Sequence, residues 1–254
     1  MNTEQLDLLK SRLDAYRPLP KAVVKNLRED LALRWTYNSN AIEGNTLTLQ
    51  ETKVVLEGVT VGGKSIREHL EVTNHAEAVN LVYELVAKSE PLSERTIKEI
   101  HALVLKGLDD QNAGIYRNVN VTISGAEHTP PDFLHLKEEM TSFMKWYEES
   151  AEMHPVERAT RVHVDLVKIH PFVDGNGRTS RLLMNLELMR SGFPPVVFKT
   201  AERLSYYQAL ETACIQNDYT PFLEMTEKLV QESFKPYWFA LGLTDTGEKR
   251  SSDA

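Results

Sequence analysis

The sequence predicts an all-α fold, a helical bundle interrupted once by a short β-hairpin flap. Three observations lead there. Apolar residues recur at three- and four-residue spacing along almost the whole chain, N-capping signals punctuate that pattern, and only residues 119–123 alternate apolar with polar, which is the period of a strand.

Taken in order, Leu6, Leu9 and Leu13 mark a first helix that Pro18 and Pro20 break. Val23, Val24, Leu27, Leu31 and Trp35 mark a second, running towards Ser39. Thr48 with Glu51 three residues on reads as a capping box, opening a helix that stops near Gly58. A long helix is predicted over 66–86, and Ser93 caps another that contains Ile97, Ile100, Val104 and Leu105. After the hairpin, closed by Pro130 and Pro131, helices are predicted over 133–149, 155–169, 175–190, 201–216 and 220–234. The final residues, from 246 onwards, read as a frayed tail.

At 254 residues, 41% hydrophobic and 26% charged, the chain has the composition of a globular protein able to bury a substantial core. A net charge of -8 argues against a broad footprint for nucleic acid or anionic lipid, so no nucleic acid and no membrane is expected as a partner. Cys214 is the one cysteine, which excludes an intrachain disulfide and a cysteine-rich metal site. The N-terminal residues lack the apolar run of a signal peptide. The expected address is cytoplasmic.

The chemistry concentrates in HPFVDGNGRTSR, residues 170–181. Pro171 disfavours a helical His170 and cannot continue the hydrogen-bond ladder, so one helix ends there. A new helix begins near Gly175, and its first turn offers unpaired N–H groups and partial positive charge to an anion. Gly175 and Gly177 permit the close backbone approach of a phosphate cradle. Arg178 and Arg181 stand three apart on one helix face with forks suited to phosphate oxygens. Asp174 is a hard oxygen ligand for Mg²⁺, and His170 is a general base near neutrality. Each part alone is commonplace, since a DG pair usually marks a turn and a terminal histidine a cap. Their combination within twelve positions is not.

This segment resembles the signature of the Fic-domain family, H-x-F-x-[DE]-G-N-G-R-x-x-R, at every position. The resemblance extends from the GIYR segment at Gly114 to the helix near Thr220. It implies the Fic fold and transfer of AMP from Mg-ATP to a Ser, Thr or Tyr hydroxyl of a protein, or of the chain itself, with release of pyrophosphate. In that scheme His170 is catalytic, Asp174 holds Mg²⁺, Gly175, Asn176 and Gly177 cradle the phosphates, and Arg178 and Arg181 hold the outer ones. Phe172 reads as a core anchor for the loop. The resemblance is strongest to a subgroup whose animal member carries a membrane anchor and extra helical repeats, and neither is expected in this chain.

A second motif, SNAIEGN from Ser39 to Asn45, reads by itself as a helix end with a surface carboxylate. It resembles the inhibitory motif of the same family, [ST]-x-x-x-E-[GN], which implies that Ser39 and Glu43 belong to an inhibitory helix and that Glu43 pairs with Arg181. The resemblance also implies that the flap clamps a strand of the target protein beside the site, with Gly125 and His128 as nucleotide contacts and Tyr206 near the base. Cys214 stands where an asparagine often follows the tyrosine pair. The expected organisation is an N-terminal region, 1–60, carrying the inhibitory helix; a catalytic core, 61–240; and a flexible tail, 241–254. A homodimer is compatible with the family. The same residues also suit removal of AMP from a modified protein, or transfer of UMP or phosphate, and a non-enzymatic helical interaction module is the remaining alternative.

Overall fold

A computed structural model describes residues 3–244 and 246–248. Residues 1, 2, 245 and 249–254, which include part of the expected tail, lie outside the described residues. The described chain is carried by α1 (Thr3–Asp14), α2 (Lys21–Ile42), α3 (Leu49–Leu56), α4 (Ile66–Ala87), α5 (Glu94–Leu105), α6 (Leu136–Glu149), α7 (Pro155–Ile169), α8 (Asn176–Arg190), α9 (Arg203–Gln216), α10 (Thr220–Ser233) and α11 (Lys235–Ala240). The all-α prediction therefore holds. Among the described residues no helix is long and apolar enough to cross a membrane.

The ends of these helices follow from local chemistry. Thr48 with Glu51 and Ser65 with Glu68 each form a reciprocal capping box, opening α3 and α4. Ser93 accepts the Thr96 N–H at the start of α5. Gly192 closes α8 in the left-handed region, at φ +86, with its N–H on Met189 O and the Phe193 N–H on Leu188 O. That is the pairing a Schellman ending requires.

Helix α8 is the spine, with α7 laid along it and α4, α5 and α2 around it. Twelve of its 15 residues are buried, so it must satisfy polar groups as well as apolar ones. Asn185 accepts the Val196 N–H and donates to Val196 O. Glu187 accepts from the Tyr147 hydroxyl at 2.6 Å and pairs with Arg158 and Arg190. On one side lies an apolar layer with Leu6, Met184, Leu188, Phe222 and Trp238. On the other lies a layer with Val79, Ile97, Met140, Leu166, Phe172 and Leu186.

Two sequence expectations are corrected. Among the described residues no strand forms, and 118–131 run as an irregular loop in place of the β-hairpin. Its backbone finds side chains instead of a facing strand. Arg117 donates to Val119 O and Pro131 O, Asn120 Oδ1 accepts the Phe133 N–H, and Glu211 Oε1 accepts the N–H groups of Glu127 and His128. Pro130 and Pro131 lack the donors that a return limb needs. The second correction is α11, which follows the last predicted helix, 220–234, and contains Pro236. That proline stands in the first turn, where its missing N–H costs nothing.

Beyond α11, Leu243 is buried in the same layer as Trp238, and Arg12 donates to Thr246 O. Trp238 is itself almost wholly buried and stacks on Phe234 with ring centroids 5.7 Å apart. Trp238→Ala should therefore lower the unfolding free energy by about 3–5 kcal/mol, measured by urea denaturation. A loss under about 1 kcal/mol would contradict this packing.

Candidate functional site

The turn between α7 and α8 is built by a few specific contacts. His170 ends α7 in the left-handed region, at φ 52, a conformation histidine tolerates better than bulkier or branched residues. Its carbonyl accepts Arg117 Nε at 2.8 Å, and Pro171 O accepts the Arg117 N–H. Phe172 is fully buried, as expected of an anchor, and its ring lies 3.5 Å from His101 in a parallel stack. Asn176 closes the loop from the other side, accepting the Phe172 N–H and donating to Phe172 O, both at 2.9 Å. The Asn176 side chain is thus spent on the loop, leaving its N–H towards any anion. Gly175 is required: it has φ +77, and an added Cβ would crowd Val104 and His101.

His170 Nδ1 lies 3.2 Å from Val167 O. A carbonyl only accepts, so Nδ1 carries the proton and Nε2 the lone pair. Burial, assisted by the charge of Arg117, keeps the imidazole below its usual pKa. The ring is therefore a neutral base at neutral pH.

The guanidinium of Arg181 is buried, and each of its three nitrogens donates a hydrogen bond. Nε donates to Ser39 Oγ at 3.0 Å, Nη1 to the Tyr206 hydroxyl at 3.1 Å, and Nη2 to Ser39 O at 2.9 Å and Glu43 Oε1 at 2.7 Å. Glu43 caps α2, so the end of that helix is pinned to the first turns of α8. Its carboxylate also lies against Gly177, where any Cβ would collide with Oε1. An internal anion thus covers the N-terminus of α8, the position that favours negative charge.

Asp174 faces the same opening. Its Oδ1 accepts the Gly175 N–H and Arg178 Nη2, and Oδ2 pairs with Arg67 at 3.0 Å. Burial works against its charge, yet Arg178, the Gly175 N–H and Arg67 hold the carboxyl below its usual pKa. Such an ionised oxygen donor has the chemistry a divalent cation requires.

A cleft of about 610 Å³ gathers these groups, a size suited to a small-molecule ligand. Glu43, His170, Asp174, Gly175, Asn176, Gly177, Arg178, Gly125 and Tyr206 all line it. His128 does not: its Nε2 bonds Lys168 O, and the residue lines a separate cavity beside α6 and α7. Ser39 and Arg181 sit behind the wall. The Tyr206 hydroxyl holds Arg181 and His163, while the more exposed ring of Tyr207 flanks the opening with Leu204.

Sequence reasoning assigned no role to His101, which the fold places under the loop. The Gly114 N–H donates to Nδ1 and Nε2 donates to Asp174 O, each at 2.9 Å. Burial pulls its pKa down to about 4, keeping the tautomer that bridges these two backbone groups. Arg67 and Glu211 also escaped notice, because each reaches the site only through tertiary packing. Arg117 carried one signal, its place in the GIYR segment.

The Fic/DOC family model matches residues 91–188. The chain is 37% identical over 259 residues to a protein named protein adenylyltransferase Fic from Nematostella vectensis, covering 100% of this chain and 60% of that one. A protein of the same name from Drosophila melanogaster is 35% identical over 245 residues, covering 94% of this chain and 49% of that one. The chain thus spans only 49% and 60% of these two relatives. Among solved structures, a Fic-domain signalling protein from Bacteroides thetaiotaomicron superposes with a TM-score of 0.86 at 28% identity, covering 95% and 98% of the two chains. Fic-1 from C. elegans gives 0.84 at 33% identity, covering 94% of this chain and 72% of that one. The motif turn, the helical frame around it and a likeness running well beyond both lead to one conclusion: the chain belongs to the Fic family.

Proposed function

We propose that this chain transfers AMP from ATP to a Ser, Thr or Tyr hydroxyl of a protein, its own included, and that Glu43 holds the reaction in check. The relatives named protein adenylyltransferase support the activity. The observation that carries the reading is a single cleft holding a neutral imidazole and the N-terminus of α8, with Glu43 against that terminus.

In this reading His170 Nε2 takes the proton of the hydroxyl, and the freed oxygen attacks the α-phosphorus. The bond from that phosphorus to the oxygen bridging the β-phosphate breaks, and pyrophosphate leaves. The first-turn N–H groups of α8, with Arg178 and Arg181, bind the outer phosphates and absorb the charge of the leaving group. Mg²⁺ fits Asp174, a half-exposed, ionised carboxylate of the kind that holds this ion together with phosphate oxygens. When bound, it neutralises charge on those oxygens. The loop at 122–126 borders the cleft, and its backbone groups outside the bond from Ala126 N–H to Ile123 O suit main-chain pairing with a target segment. We assign the check to region 1–60, the transfer chemistry to 61–240, and no part of either to 241–254.

The restraint follows from charge. Arg181 paired with Glu43 is withheld from a phosphate, and the carboxylate repels an anion at Gly177. Oε1 of Glu43 is the oxygen engaged with Arg181, and among the described residues Oε2 has no hydrogen-bond partner and can orient a water. That favours, as a second reading, hydrolytic removal of AMP with His170 protonating the leaving hydroxyl.

Labelling with α-³²P-ATP tests the first reading. Glu43→Gly should raise AMP transfer by at least about tenfold, equal to ~1.4 kcal/mol in the barrier. Adding His170→Ala should lower the raised rate by a factor on the order of 10²–10⁴. Equal labelling by wild type and Glu43→Gly defeats the restraint. Loss of AMP from a pre-adenylylated protein, dependent on Glu43, establishes the second reading.

The pH profile carries its own sign. An imidazole with a depressed pKa stays unprotonated further into acid, so the acidic limb of kcat/KM for Glu43→Gly should lie below about pH 6.5. Glu43 itself raises the His170 pKa, so removing it moves the limb further in the same direction. A limb above about pH 6.5 would contradict His170 as the base.

A further inference from the structure

Behind Asp174 a second cleft of about 320 Å³ opens between the end of α2, the start of α4 and the motif. Arg67 lies in it, in the first turn of α4. A cation there opposes the helix dipole, and the capping box of Ser65 and Glu68 already closes that helix end. Arg67 therefore gains nothing from the helix terminus; its i,i+4 pair with Glu71 is the one favourable contact it makes within α4 among the described residues, and its reach to Asp174 needs another explanation. Its Nε donates to Glu71 Oε1 at 3.1 Å and its Nη2 pairs with Asp174 Oδ2 at 3.0 Å.

The two oxygens of Asp174 are not equivalent. Oδ1 is taken by the Gly175 N–H and Arg178, both parts of the loop itself. Among the described residues the recorded partner of Oδ2 is Arg67, a side chain 58% exposed and able to swing away. A magnesium ion sits about 2.0–2.1 Å from a carboxylate oxygen. Guanidinium and ion would then stand within a few ångströms of each other on one oxygen, two cations sharing a single anion.

We propose that Arg67 is a competing occupant of Asp174, displaced whenever a divalent cation binds, and so sets how strongly nucleotide binding depends on that cation. Glu71 tethers the displaced side chain through Nε. The same Glu71 accepts Asn45 Nδ2 at 2.9 Å, two residues beyond Glu43, so the tether belongs to the framework that seats the end of α2. This inference deepens the proposed function and rests on it for the role of Asp174.

The test is calorimetric and needs no turnover. The Kd of α,β-methylene-ATP is measured for the full chain in EDTA and in excess Mg²⁺, and the ratio of the two reports the dependence on the ion. Arg67→Gln should raise that ratio by about fivefold, the upper range for an exposed ion pair. Arg67→Lys, which keeps a cation in place, should stay within about twofold of wild type. Asp174→Asn should bring the ratio close to one. An unchanged or lower ratio in Arg67→Gln, with Asp174→Asn collapsing it, overturns the role of Arg67 and leaves Asp174 as the ion's ligand. An equal rise in the Lys and Gln variants also overturns it, since a retained charge must still compete. If Asp174→Asn keeps the wild-type ratio, the assignment of the ion to Asp174 fails and the competition fails with it.

Discussion

A buried guanidinium at the start of a buried helix governs this molecule. Arg181 cannot lie inside the bundle without anionic and polar partners, and it draws them from two distant parts of the chain: Ser39 and Glu43 at the end of α2 and Tyr206 on α9. Those partners bring α2 against α8 and set the Glu43 carboxylate over Gly177. The same geometry that satisfies a structural charge therefore fills an anion site with an anion of the protein's own.

The spine that carries Arg181 is held by equally specific arrangements. Asn176 and Arg117 tie the turn before α8 to the backbone of Phe172, His170 and the 118–131 loop. His101 supports it from below through a stacked ring and two bonds to backbone groups. A base, a helix N-terminus and a carboxylate are thereby kept within one cleft by groups that need not touch a ligand. Rigid support of this kind is what positioning chemistry depends on.

Much of this was legible in the sequence where the determinants are local. Helix ends followed from Thr48 with Glu51, from Ser93 and from Gly192, and the motif announced its turn through Pro171 and Gly175. The pairing of Glu43 with Arg181 was implied by family resemblance and is present. What escaped the sequence is tertiary. Alternation at 119–123 suggested a strand, but a strand needs a partner, and side chains of Arg117 and Glu211 took its place. Tyr206 looked like a ring beside a base, and no local pattern shows that its hydroxyl holds Arg181. His101 and Arg67 carry no motif, and their importance exists only once α4, α5 and the loop are packed together.

The central claim is that Glu43 and the outer phosphates of a nucleotide compete for Arg181 and the first turn of α8. A crystal structure of Glu43→Gly with a non-hydrolysable ATP analogue and Mg²⁺ tests it most directly. A terminal phosphate should then lie within hydrogen-bonding distance of the Gly177 N–H and Arg181, in the volume the carboxylate gave up. A nucleotide bound elsewhere, or one whose phosphates avoid that turn although Glu43 is gone, would contradict it.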